Sequence, residues 1–200
     1  MLKKEWVYRE ILYQLLKNKR KFFSQKSLAN VCKTSIGNVN QAIKPFERMN
    51  AIEKKNLGFR IIDAKKILFY WASIRNLEKD ILYKTFINKR VEVIEKELPP
   101  CLFTAYSGYK SLFKIIPSDY SEVFAYVDEK NLKIVEERFP QKMGKANLII
   151  LKMDEHLKKF DKITLAQLFV DLWNINTWYA KEFLNKLEVK INGILERPSY

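Results

Sequence analysis

Residues 24–62 limit the possible folds more than any other stretch, because two helix patterns are followed there by a hairpin pattern. Ser24 is a suitable N-cap for the first helix, and Thr34 or Ser35 is suitable for the second. In the second helix, apolar residues recur at a spacing of three to four, at Val39, Ala42, Ile43 and Phe46. This spacing predicts a helix with one buried face and one face left to solvent.

The solvent face of this second helix carries several amide side chains and a lysine, together with a serine and a glycine near its start. Amide side chains can make two hydrogen bonds to adenine, and lysine can reach guanine or a phosphate. The predicted DNA contacts here are Ser35, Gly37, Asn38, Asn40, Gln41 and Lys44, of which Asn38, Asn40, Gln41 and Lys44 should read bases. Pro45 predicts a kink or an early end of the helix near Lys44, with residues 46–49 as a separate turn.

A hairpin is predicted over residues 51–62, with two short strands around a turn at 56–58. Basic residues in the hairpin and in the turn before the second helix should hold phosphate, namely Lys33, Lys54, Lys55 and Arg60. The whole pattern resembles the winged helix-turn-helix domains of prokaryotic transcription regulators. The resemblance implies double-stranded DNA as the partner, and paired half-sites imply a homodimer.

The composition favours a polyanionic partner. The 200 residues contain 37 basic and 23 acidic side chains, which gives a net charge of +14. No apolar run approaches the roughly 20 residues that span a bilayer, and the N-terminus does not have a signal-peptide pattern. We therefore predict a cytoplasmic protein with no membrane partner, and two domains over residues 1–75 and 76–200.

Strands alternate with helices in the second half, which predicts a small α/β layer domain with a mixed sheet. The predicted strands are 81–87, 101–104, 122–127 and 148–151, and the predicted helices are 90–98, 106–114, 129–139, 165–173 and 178–195. The strand at 122–127 is apolar on both faces and should be central. The expected fold class is therefore α/β (α+β), with a winged helix-turn-helix followed by this layer domain.

Few residues of the sequence are candidates for catalysis or metal binding. Cys32 and Cys101 are far apart and are expected to be reduced, partly buried thiols. His156 is the only histidine and is expected on the surface or in a loop, so a histidine-rich zinc site is excluded. We predict no metal, no cofactor and no catalytic residue.

Four stretches of the second half are similar to the AbiEi antitoxin family, in the form common in archaea. They are FTAYSGY at 103–109, SDYSEV at 118–123, LFVDLW at 168–173 and WYAKEFL at 178–184. The resemblance implies a transcription regulator from a type IV toxin–antitoxin system that represses its own operon. It also implies a cognate nucleotidyltransferase-like toxin as a functional partner, not necessarily a physical one.

Two alternatives stay open. Nucleotidyltransferases place a Gly-Ser or Gly-Gly pair at a helix start, and a later strand carries two carboxylates one residue apart, which hold magnesium. Here Ser107 and Gly108 precede Asp119, but Ser121 stands where the second acid belongs, and Glu122 should face the other side of a strand. This predicts an inactive relative rather than an enzyme. The other alternative is an RNA-binding or structural partner protein, although RNA readers more often expose aromatics on a sheet.

Overall fold

The chain divides into two compact units in a computed structural model that describes residues 1–196. The first unit contains Met1–Arg75, Thr164–Val170 and the described residues from Glu188 onward. The second contains Asn76–Ile163 and Asp171–Leu187. The first change of unit falls beside Asn76, where the sequence predicts a linker. Two segments of the predicted 76–200 domain are nevertheless grouped with the first unit.

Residues 1–75 of the first unit form a winged helix-turn-helix. Its elements in chain order are α1 (Lys3–Asn18), β1 (Phe22–Phe23), α2 (Gln25–Val31), α3 (Ile36–Arg48), β2 (Ile52–Lys55), β3 (Gly58–Ile61) and α4 (Ala64–Ile74). The three strands form an antiparallel sheet in the order β1-β3-β2. A two-residue turn joins β2 to β3, which gives the hairpin that the sequence predicts.

Aromatic packing around Tyr8 of α1 holds the back of α3. The Tyr8 ring centroid lies 4.8 Å from that of Phe46 and 6.4 Å from that of Trp71 in α4. The Tyr8 hydroxyl donates to the Ala42 carbonyl at 3.1 Å, so the phenol is satisfied inside the core. Burial raises the pKa of this phenol well above its usual value. These contacts fix which face of α3 points inward.

The predicted end of α3 near Lys44 is wrong, because the helix runs through Pro45 to Arg48. The carbonyls at and after the proline are bonded, since Met49 N–H at the end of the helix donates to the Pro45 carbonyl at 3.1 Å and Ala51 N–H beyond it donates to the Phe46 carbonyl at 2.8 Å. Proline leaves the carbonyl four residues earlier without its helical partner, here at the exposed residue Gln41, where water can replace it. The burial of Phe46 then holds the last turn in place.

The second unit is built on a four-stranded mixed sheet, as predicted, and its strand order is β4-β7-β6-β5. Strands β6 and β7 are parallel, and the two outer strands pair antiparallel. The elements are β4 (Ile81–Thr85), α5 (Val91–Glu97), β5 (Leu102–Thr104), α6 (Ala105–Phe113), β6 (Val123–Val127), α7 (Glu129–Arg138), β7 (Leu148–Lys152), α8 (Leu165–Trp173) and α9 (Ala180–Glu196). Both α8 and α9 contribute residues to both units.

Strand β6 is central and fully buried, which confirms the prediction from its apolar faces. Val123, Ala125 and Val127 join a core that includes Ile94 of α5 and Val135 of α7. On the opposite face, Phe124 packs edge-on against Tyr106 of α6, with ring centroids 6.1 Å apart. The sheet therefore has helices on both faces, which requires apolar residues at every position of its middle strand.

Candidate nucleic-acid interface

The turn between α2 and α3 fixes where the solvent face of α3 begins. Lys33 adopts the left-handed conformation with φ 46°, which turns the chain after α2. The Ser35 hydroxyl then caps α3 by accepting from the Asn38 N–H at 3.1 Å. Val39, Ala42, Ile43 and Phe46 are all buried, so α3 can rotate little about its own axis. The predicted inner face of α3 is therefore confirmed.

The predicted contact residues lie on the outside of the first unit. Those that are exposed are Lys33, Ser35, Gly37, Asn38, Gln41, Lys44, Lys54, Lys55 and Arg60. Asn40 is half-buried, so less of its amide faces solvent than that of Gln41. Asn38 is tied to its own turn, because its Nδ2 donates to the Thr34 hydroxyl at 3.0 Å. Gln41 is therefore the amide best placed to meet a partner.

Arg48 belongs to the same face, although sequence reasoning did not include it. The expected break at Pro45 removed this residue from the helix, whereas the observed helix continues to it. Gly37, Gln41, Lys44 and Arg48 are all exposed and follow one another at spacings of four, three and four residues. Such spacings put side chains on one face of a helix. We call these four residues the reading stripe.

The hairpin lysines already have partners on the protein. Lys54 Nζ lies 2.7 Å from Glu47 Oε2 near the end of α3, and Lys55 Nζ lies 2.5 Å from Glu53 Oε1. The side chains in both pairs are about half exposed, and such pairs contribute only about 0–1 kcal/mol. A phosphate could therefore replace either carboxylate at little energetic cost. Arg60 on β3 is exposed, and in the strand register it lies opposite Glu53.

A groove runs between the hairpin turn and the first turns of α2 and α3. Its walls include Lys26 and Ile36 on the helices, and Lys55 and Leu57 on the hairpin. Leu57 is 83% exposed and Ile36 is 51% exposed, so the groove combines lysines with uncovered apolar surface. Lys26 was not among the predicted contacts. Its position in α2 gave no periodic signal, and only the fold places it opposite the hairpin.

Charge is distributed very unevenly along the chain. Residues 1–75 contain 17 basic and five acidic side chains, whereas residues 76–200 contain 20 basic and 18 acidic ones. Nearly all of the net charge therefore comes from the winged helix-turn-helix segment. A local basic excess of this size attracts polyanions through the summed field of the unit.

Several polar side chains of the second unit are buried. Asp171 is fully buried and accepts hydrogen bonds from the Thr104 hydroxyl at 2.7 Å and the Tyr126 hydroxyl at 2.8 Å. Glu122 is also buried and accepts from the Tyr179 hydroxyl. These groups satisfy one another inside the unit, which is how buried polar atoms usually stabilise a fold.

The positions considered for nucleotide transfer do not form a carboxylate pair. Ser107 and Tyr106 are buried, whereas Asp119 is exposed. Oε1 of Glu122 lies 3.8 Å from Nζ of Lys145. The Glu122 carboxyl group also accepts a hydrogen bond from the Tyr179 hydroxyl. Within residues 1–196, no group of three histidine, cysteine or acidic side chains could hold a metal ion.

The two cysteines and the histidine are buried or half-buried. Both cysteines are thiols, and burial together with Glu95 raises the pKa of Cys101 to about 12. Of the two positions expected for His156, the loop is confirmed and the surface is wrong, because this residue lies in a turn before the short helical segment Leu157–Lys159 and is 3% exposed. Its backbone N–H donates to Asp154 at 2.9 Å, which places it inside a closed turn. Its single occurrence in the sequence carried no signal of burial.

Comparisons of the chain with protein-family models, curated proteins and solved structures give no match. Among the described helices, none combines the length and the apolar character that a membrane span requires.

Proposed function

We propose that this protein is a sequence-specific DNA-binding transcription regulator, and that α3 reads the major groove. One observation carries the proposal. An amide and two cations, Gln41, Lys44 and Arg48, are exposed along one face of a helix whose opposite face is locked in the core. A helix with this division is suited to lie in a major groove, where an amide can bond adenine and cations can bond guanine or phosphate.

The surroundings of α3 support the same interpretation. The hairpin places Lys54, Lys55 and Arg60 on the surface of the same unit, where they can hold the backbone while α3 reads bases. The excess of 12 positive charges in residues 1–75 supplies the sequence-independent part of the attraction. RNA is disfavoured as a partner, because the deep and narrow major groove of its duplex does not admit a helix.

Footprinting on the DNA upstream of the protein's own gene tests the proposal directly. We expect protection of a short site, and binding to it at least about 10³-fold tighter than to a scrambled duplex of equal length at the same salt concentration. Equal affinity for the two duplexes would overturn sequence-specific binding. A folded double-stranded RNA of the same sequence serves as the control for simple attraction to charge.

The antitoxin role is a separate proposal that depends on the resemblance to the AbiEi family alone. It assigns repression of the protein's own operon to the winged unit, and neutralisation of a nucleotidyltransferase-like toxin to the C-terminal region. Co-expression of the full-length chain with a toxin encoded beside this gene should restore growth. Growth arrest that persists with the full-length chain would reject the role.

A homodimer is proposed because regulators of this geometry usually bind two half-sites. Sedimentation of the protein on its footprinted site should then give two chains per duplex. One chain per duplex, with an undivided footprint, would reject it.

A further inference from the structure

We infer that Gly37 is the point where α3 approaches the duplex most closely, and that it positions Gln41 for base reading. This inference depends on the proposed function and names a positioning residue within it. The fold itself does not require a glycine at position 37, as a comparison with other glycines of the chain shows.

Two other glycines are required by the packing around them. A Cβ added at Gly58 would lie 2.1 Å from the Phe23 carbonyl oxygen. One added at Gly108 would lie 2.9 Å from the Phe103 carbonyl oxygen. Both distances are too short for a real side chain, so these glycines are explained by close contacts between backbones.

Gly37 has no such explanation. A Cβ there would meet only the Ser35 hydroxyl oxygen, at 3.8 Å, which is an ordinary contact distance. Its φ is not in the left-handed region, and the residue is exposed in the first turn of a regular helix. Glycine in a helix is less stable than alanine, so this residue weakens α3 without any benefit to the isolated chain.

The position of Gly37 on the exposed face of α3 explains why a glycine is present there. It begins the reading stripe, and Gln41 follows one turn later on the same face. A long amide on a helix reaches a base edge only if the helix backbone comes close to the groove. A methyl group at position 37 would hold the first turn away from the duplex, and Gln41 would then lose its bonds to the base.

A comparison with Gly193 in α9 separates this role from an effect on stability. Gly193 is also an exposed helical glycine with open space around it, but it lies outside the winged helix-turn-helix. Gly193→Ala is therefore a matched control. Each substitution should raise the Tm by about 2–4 °C, because alanine favours helix more than glycine does.

The binding measurements then distinguish the two variants. Gly37→Ala should weaken binding to the footprinted site at least about tenfold, and leave binding to a random duplex within about twofold of wild type. Gly193→Ala should leave both affinities unchanged. In a double-mutant cycle, Gly37→Ala should cost little when Gln41 is already alanine, since both changes remove the same contact.

Three outcomes would overturn the inference. Unchanged affinity of Gly37→Ala for the footprinted site would show that the helix does not come close there. A lowered Tm for Gly37→Ala would show that the fold itself needs the glycine. If the wild-type protein binds no duplex selectively, the proposed function fails first, and this inference falls with it.

Discussion

Polar side chains face outward on one side of α3, whereas two carboxyl groups of the second unit, those of Asp171 and Glu122, face inward. Gln41, Lys44 and Arg48 are exposed on a face that makes no use of them within the fold. Asp171 and Glu122, in contrast, are buried and bonded to hydroxyl groups. The difference teaches that polarity alone does not mark a binding site. A polar residue that the fold leaves uncovered is available to a partner, whereas one that the fold surrounds has a structural task.

Loss of the buried carboxylate of Asp171 should produce the largest effect. Asp171→Ala should lower the free energy of unfolding by about 3 kcal/mol, because the Thr104 and Tyr126 hydroxyls would lose their shared acceptor inside the core. Urea unfolding followed by circular dichroism measures this change. The exposed Asp119→Ala is the control and should stay within about 0.5 kcal/mol of wild type. A loss below about 1 kcal/mol for Asp171→Ala would contradict the structural role.

Removal of the exposed amide of Gln41 should act on binding and leave stability unchanged. Gln41→Ala should cost about 1–3 kcal/mol on the preferred site and relax the choice at one base pair. Competition binding with single-base variants of the site measures both effects. Asn185→Ala, which removes an exposed amide from α9, should change neither. Equal losses on specific and random DNA would mean that Gln41 does not read a base.

Arg48 tests whether the stripe extends past Pro45. Arg48→Ala should weaken binding to all duplexes and reduce the slope of log affinity against log salt by about 0.9, since one phosphate contact is lost. Titrations at four or more salt concentrations give the slope. The exposed Lys133→Ala in α7 should leave the slope unchanged. An unchanged slope for Arg48→Ala would show that Arg48 makes no phosphate contact and that the binding face stops at Lys44.

Glu47 should give the smallest effect and the opposite sign. Glu47→Gln releases Lys54 from its 2.7 Å ion pair, so the lysine can bond phosphate without losing a partner. Affinity for every duplex should rise by about 0.5–1 kcal/mol, the usual value of such a pair. The exposed Glu129→Gln is the control for a simple change of net charge. Weaker binding by Glu47→Gln would show that the pair holds Lys54 in its binding position.

Local patterns predicted much of the fold. The caps at Ser24 and Ser35 are confirmed, since each accepts the N–H three residues later. The inner face of α3 and the central strand of the second unit are confirmed as well. These features could be predicted because capping, helical spacing and strand burial depend on residues that are close in sequence.

The errors arose where distant residues decide. Pro45 should break a helix, but the buried Phe46 beyond it and the ring of Tyr8 from α1 hold the helix together. Arg48 was missed for this reason. His156 was expected on the surface or in a loop, and it lies in a turn that the fold encloses. Lys26 shares a groove with the hairpin only because the sheet brings that hairpin beside α2.

The sequence by itself determined the elements, the concentration of positive charge in residues 1–75, and the division of α3 into an apolar and a polar face. These properties are local or additive, so the order of residues contains them. Only the tertiary structure decided which polar groups are covered. It left Gln41 and Arg48 exposed, paired Lys54 with Glu47, and buried Asp171, because burial depends on what packs against a residue rather than on the residue itself.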